Sequence, residues 1–135
     1  MSFRRTVQAL AIVTTLLGAS TAFAAEPVAA EVGQDGVQRL KITLDDEYHP
    51  GHVVVQAGHP VEFVLTSLTR ITPHNFIIDD PAAGFRVKQE VGAGETVTVR
   101  FTPPHAGSFP FYCDKKLLFF KSHREKGMEG RLDVR

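Results

Sequence analysis

A chain of 135 residues in which 15 Lys and Arg balance 15 Asp and Glu carries a formal net charge of +0. That balance gives no basis for a nucleic-acid partner, and the length fits one domain built round one core. A single cysteine, Cys113, excludes an internal disulfide.

In chain order, the first element is a targeting segment. Arg4 and Arg5 form a positive start, Val7 to Gly18 an apolar stretch, and Ala22-Phe23-Ala24 puts small residues where a signal peptidase reads. The stretch is shorter than the roughly 20 residues a membrane span needs. It predicts a signal peptide over residues 1–24, export to the periplasm, and a soluble mature chain from Ala25 with no membrane span. Without Arg4 and Arg5, 13 basic residues face 15 acidic ones, so the exported chain is slightly acidic. A lone cysteine in an oxidising compartment must be buried, paired between chains, or occupied.

The polar stretch that follows is expected as a flexible lead-in over residues 25–36, before one domain over residues 37–135. Apolar residues then recur with period two, the signature of half-buried strands. Leu40, Ile42 and Leu44 alternate with Lys41 and Thr43, and Val53 and Val55 precede a turn at Ala57-Gly58. Val61, Phe63 and Leu65, then Val97, Val99 and Phe101, continue the pattern, and Leu132 and Val134 close it. The one helical candidate beyond the targeting segment, 114–126, is short and mixed in character. Short strands punctuated by Gly and Pro predict an all-β Greek-key sandwich or barrel of about seven or eight strands.

Side-chain parity along the penultimate strand is informative. Phe109, Phe111 and Cys113 share a face, so if the phenylalanines enter the core the thiol points inward with them. His123 and Met128 follow in Ser-His123-Arg-Glu-Lys-Gly-Met128, and His74 stands upstream in Thr-Pro-His74-Asn-Phe. One thiolate, two imidazoles and one thioether make the donor set of a mononuclear copper site that carries electrons.

With these residues in place, the chain resembles the cupredoxins, the small blue-copper proteins of plastocyanin and azurin type. The resemblance runs from about Val37 to Arg135 through Tyr48-His-Pro, Gln56-Ala-Gly58, Pro73-His74-Asn75, Gly107-Ser-Phe-Pro-Phe-Tyr-Cys113, His123-x4-Met128 and Gly130-Arg-Leu-Asp-Val134. It implies one Cu(I)/Cu(II) ion per chain, held by His74, Cys113 and His123 with Met128 as the weak axial ligand. It also implies that Asn75 ties the ligand loops together by hydrogen bonds. The chain departs from the family pattern in placing nine residues, 114–122, between Cys113 and His123, where two to four are familiar. A longer loop costs only about 0.6 kcal/mol per doubling, so the ligands survive, while the blue or green character of the site is left open.

Leu117, Leu118, Phe119 and Phe120 lie inside that insertion between lysines. They either pack down to cap the core or form an exposed patch for a redox or copper-delivery partner. Of the remaining histidines, His49 with His52, and His59 with His105 at the opposite end, are candidates for weak second metal sites. The leading functional expectation is a monomeric periplasmic type 1 copper protein, not an enzyme, that shuttles single electrons between redox proteins. The alternative is a protein that binds, buffers or delivers copper in copper tolerance. A copper oxidase or reductase would need His-x-His ligand pairs, which the chain lacks.

Overall fold

The computed structural model describes residues 26–135. The segment expected as a signal peptide, residues 1–24, lies outside the described residues. Among the described residues eleven strands follow one another, with a single 3-10 turn at Arg124–Lys126: β1 (Val28–Ala29), β2 (Glu31–Val32), β3 (Gln38–Leu44), β4 (Tyr48–His49), β5 (His52–Val55), β6 (Val61–Ser67), β7 (His74–Asp80), β8 (Phe85–Val91), β9 (Thr96–Phe101), β10 (Gly107–Tyr112) and β11 (Glu129–Val134). Among the described residues no helix is long and apolar enough to cross a membrane.

The strands form two sheets facing one core. The first has the order β1-β5-β11-β10-β7-β8; the second has the order β2-β3-β6-β9, with β4 beside β3. The all-β sandwich is therefore the expected one. The count rises from seven or eight to eleven because β1, β2 and β4 are two-residue strands, too short to show any alternation. The longer β8 carries a readable alternation of Phe85, Val87 and Val91 with Arg86, Lys88 and Glu90, which the sequence reading did not mark.

The lead-in is a correction. Val28 and Ala29 pair in parallel with Val53 and Val54, and Glu31 and Val32 pair with Arg39 and Gln38. Residues 28–32 are thus paired into both sheets, although their side chains are exposed. Backbone bonding to strand edges needs no apolar side chain, so composition alone reads such a segment as loose.

Period two in sequence becomes an inside and an outside in space. Ile42, Leu44, Val53, Phe63, Leu65, Phe76, Ile78, Phe111 and Leu132 are fully or almost fully buried. Phe76 stacks on Phe111 with centroids 5.0 Å apart, and the Tyr48 ring meets Phe111 edge-on at the same distance. The Tyr48 hydroxyl donates to the Asn75 carbonyl at 2.5 Å, so this aromatic group also fixes the start of β7. The ends of β3, β6 and β10 and the starts of β7 and β11 emerge together at one end of the sandwich, which therefore carries the His74, Cys113 and Met128 positions.

One position in this core tolerates no side chain. Gly130 lies opposite Phe111 in the β10–β11 ladder. A Cβ there would sit 2.2 Å from the Phe111 ring and 2.7 Å from the Gly51 carbonyl oxygen. Gly130→Ala is expected to destabilise the fold by about 1–3 kcal/mol, the usual cost of overpacking. It should be read as a lower denaturant midpoint, and an unchanged midpoint would contradict the packing described.

Candidate metal centre

Three of the donor residues stand at strand ends and the fourth in the loop between β10 and β11. His74 opens β7, Cys113 directly follows β10, His123 precedes the 3-10 turn, and Met128 precedes β11. Burial grades across the set: Cys113, His74 and Met128 are buried, and His123 is partly exposed. Phe109, Phe111 and Cys113 all face the core, as side chains two apart on a strand must.

The structure brings the side chains of His74, Cys113 and His123 together as a ligand set. One nitrogen of His74, one of His123 and the Cys113 sulfur all lie within 4.8 Å of one another, and this is the one such group of three or more among the described residues. Cys113 Sγ is 3.4 Å from His123 Nδ1, and the two imidazole centroids are 5.0 Å apart. Met128 joins through its backbone: its N–H donates to the His123 carbonyl at 2.9 Å, and its carbonyl accepts from the Cys113 N–H at 3.2 Å.

Hydrogen bonding at His74 settles which nitrogen is available. The Thr69 hydroxyl donates to the Thr72 carbonyl at 2.6 Å. Having spent its proton there, Thr69 Oγ1 can only accept from His74 Nε2, 3.3 Å away. His74 therefore carries its proton on Nε2 and keeps a lone pair on Nδ1, which is buried with no hydrogen-bond partner. An orphaned buried acceptor is uncommon because it forfeits its hydration without compensation. Beside a thiol and a second imidazole, it fits a metal cation.

Electrostatics agree with neutral donors awaiting a cation. Burial, reinforced by the neighbouring His123, pushes the His74 imidazole below its ordinary value. Burial and then Lys126 do the same to His123. Burial pushes the Cys113 thiol up, opposed by the backbone amides around it. Both imidazoles are thus kept in their ligating form, and the thiol must lose its proton to a bound metal. A thiolate with two imidazoles is a borderline-soft set that suits copper or zinc.

Asn75 sits where a brace would. Its Nδ2–H donates to Asp114 Oδ1 at 2.7 Å, and its Oδ1 accepts from the Asp114 N–H at 3.1 Å. This reciprocal pair joins the start of β7 to the residue after Cys113. The nine-residue insertion is closed at its base: the His123 N–H donates to the Lys115 carbonyl and the Arg124 N–H to the Cys113 carbonyl, each at 2.8 Å. The reading in which Leu117 to Phe120 cap the core is corrected, because all four are exposed, from 65% at Phe120 to 100% at Phe119. The closed base turns the insertion outward.

None of the other histidines joins a cluster of three or more ligands among the described residues. His49 is bonded to Asp45 at 3.1 Å and His52 to Asp133 at 2.7 Å. The turns bearing His59 and His105 do meet, with the Gly58 N–H donating to the Pro103 carbonyl at 2.9 Å, but His105 Nδ1 lies 2.9 Å from the Ala106 carbonyl. Thr69 is the residue that sequence reasoning missed. Its one signal is a Thr-x-x-Thr turn just ahead of Pro73-His74, which is common in loops with no metal nearby.

A family model described as "Cupredoxin-like domain" matches residues 8–128. No curated protein sequence matches. Among solved structures, the metal binding domain of the Cu(I) exporting P-type ATPase CopA of Streptococcus pneumoniae D39, with Cu(I), is 25% identical. Its TM-score is 0.62, over 83% of this chain and 98% of that one. Auracyanin of Roseiflexus castenholzii is 18% identical with a TM-score of 0.60, over 72% and 96%. Auracyanin A of Chloroflexus aurantiacus, a "blue" copper protein, is 19% identical with a TM-score of 0.59, over 74% and 100%. The two auracyanins speak for the fold alone.

Thr69→Val should leave His74 Nε2 without an acceptor while preserving side-chain volume. Affinity for a metal at the centre should fall about 10- to 100-fold, the usual cost of removing the hydrogen-bond partner of a ligating histidine, in a competition titration with a chromophoric chelator. Unchanged affinity would mean that Thr69 does not set the tautomer.

Proposed function

This chain belongs to the cupredoxin-like domain family, and on that premise we propose that it is a periplasmic type 1 copper protein carrying single electrons between redox partners. The observation that carries the proposal is the preassembled donor set: a buried thiol, a second imidazole, and a His74 Nδ1 that has no hydrogen-bond partner. His74, Cys113 and His123 would hold one copper ion, with Met128 as the weak axial ligand. Bound copper would supply a one-electron Cu(I)/Cu(II) couple tuned by thiolate, imidazole and thioether.

What the chain contributes is rigidity. His74 and Cys113 are anchored at strand ends, Asn75 and Asp114 lock the two segments together, and Thr69 holds the His74 ring. Donors that cannot move suit an ion that changes charge without changing partners. His123, the partly exposed ligand, is the natural route for an electron to or from another protein. No substrate is required, and we read the protein as a carrier rather than an enzyme. Export rests on the targeting pattern of residues 4–24.

A second reading has its own support. The likeness to the metal binding domain of a Cu(I) exporting ATPase spans nearly all of that domain, which favours a protein that binds or delivers copper in copper tolerance. The two readings differ in what happens after reduction. A shuttle retains Cu(I), while a delivery protein surrenders it.

Adding Cu(II) to the protein should produce an intense visible charge-transfer band that saturates at one copper per chain. Cys113→Ser should abolish that band and keep the fold; a band that survived would refute the assignment. Met128→Leu should raise the reduction potential with copper retained, since the axial donor tunes the couple. Repeated reduction and reoxidation in the presence of a Cu(I) chelator then separates the readings. A reversible couple with the metal retained supports electron carriage, and loss of copper on each reduction supports delivery.

A further inference from the structure

Six of the eight exposed large apolar residues among the described ones lie in two segments beside the metal centre: Leu68, Ile71, Leu117, Leu118, Phe119 and Phe120. The two segments adjoin, because Ile71 to Pro73 and Lys115 to Leu117 line one depression of about 280 Å³ together with His123. Its outermost part is a knob. The Phe120 N–H donates to the Leu117 carbonyl at 2.9 Å, closing a tight turn. Leu118 takes φ 48°, a left-handed conformation that a leucine adopts at a cost. Folding gains little from this turn, since its four side chains are all at least 65% exposed.

Basic side chains surround the knob. Lys115, Lys116 and Lys121 flank it, and Arg70 stands between Leu68 and Ile71. Lys115 is paired with Glu90. In the 3-10 turn just past the loop, the Glu125 carboxylate accepts from the Ser122 N–H and hydroxyl and feels Lys116 and Lys121. Of the other carboxylates of this end, Asp114 is bonded to Asn75 and Glu129 is paired with Arg124, and Asp45 to Glu47 belong to the β3–β4 turn. Lys116, Lys121 and Arg70 are in no ion pair among the described residues, so they leave the apolar tip with a cationic collar, while Asp46 acts on His123 from the β3–β4 turn.

We propose that this face inserts into an anionic lipid surface, with Leu117 to Phe120 entering the acyl boundary and Lys116, Lys121 and Arg70 meeting the phosphates. The composition decides between a bilayer and a protein. Protein interfaces favour aromatic residues, Met and Arg on surfaces that fit one another, and they are depleted in Lys, so the lysine collar is what distinguishes the two here. A convex tip of Leu and Phe collared by lysines follows instead the layer order of a membrane interface. Docked this way, the metal centre lies against the membrane, within reach of partners embedded in it.

The sequence contains no tryptophan, so Phe119→Trp in the full chain places a single reporter at the fully exposed tip, and Phe120→Trp supplies a second. With vesicles of phosphatidylcholine and phosphatidylglycerol, the indole emission should shift to shorter wavelength and be quenched by acyl-chain bromination. Added Lys116→Gln and Lys121→Gln substitutions should weaken the partitioning by roughly tenfold or more, and high salt should do likewise. The reading is local to the loop, whatever contact residues 1–25 make with the vesicles. Emission that stays at its aqueous wavelength at saturating lipid would overturn the proposal, as would equal insertion into pure phosphatidylcholine regardless of the lysines. A shift produced by an acidic protein but not by vesicles would overturn it in favour of protein docking. No copper is needed for the experiment, so its failure leaves the metal reading untouched.

Discussion

A buried imidazole with one nitrogen satisfied and the other not is the constraint on which this end of the molecule depends. His74 Nε2 is committed to Thr69, and Nδ1 has nothing to bond to. Left alone, such an atom destabilises the fold, because its hydration is lost and not replaced. The surrounding structure accepts the cost and keeps the ring where the thiol and the second imidazole converge. The aromatic group of Tyr48, Phe76 and Phe111 secures β7 from inside, and the Asn75–Asp114 pair secures it from the side. The sandwich works as a frame that keeps an unfavourable arrangement from relaxing.

Much of this was legible in the sequence, for a physical reason. Strands with one face buried must alternate, so Leu40 to Leu44 and Val61 to Leu65 declared themselves. Cys113 followed from the parity of Phe109 and Phe111, since side chains two apart share a face. Elements held by backbone bonds alone left no such trace. Val28 to Val32 join both sheets through main-chain pairing, and their composition looks like a loose tail. Thr69 was invisible for a related reason: its role depends on where one hydroxyl proton points, which a Thr in a loop does not reveal. Leu117 to Phe120 were legible as apolar but not as inward or outward. Hydropathy measures what a residue prefers, and the closed base of the loop decides what it gets.

The donors differ in exposure as well as in chemistry. Cys113 and His74 are enclosed by the sandwich, whereas His123 shares a depression with the basic and apolar residues of the insertion. Deep donors set the character of the centre, and the shallow one sets its access. Anything that rests on the 114–122 loop therefore sits next to the single ligand that reaches the surface.

The bonds from His123 to Lys115 and from Arg124 to Cys113 tie the insertion off at its neck. Ligand geometry is then decided below the neck, and the residues above it can vary in length and chemistry without transmitting strain to the centre. The loop behaves as an interchangeable head on a fixed tool. Natural drift, or a deliberate graft, could redirect the protein to a new destination while the reactive atoms stay where they are.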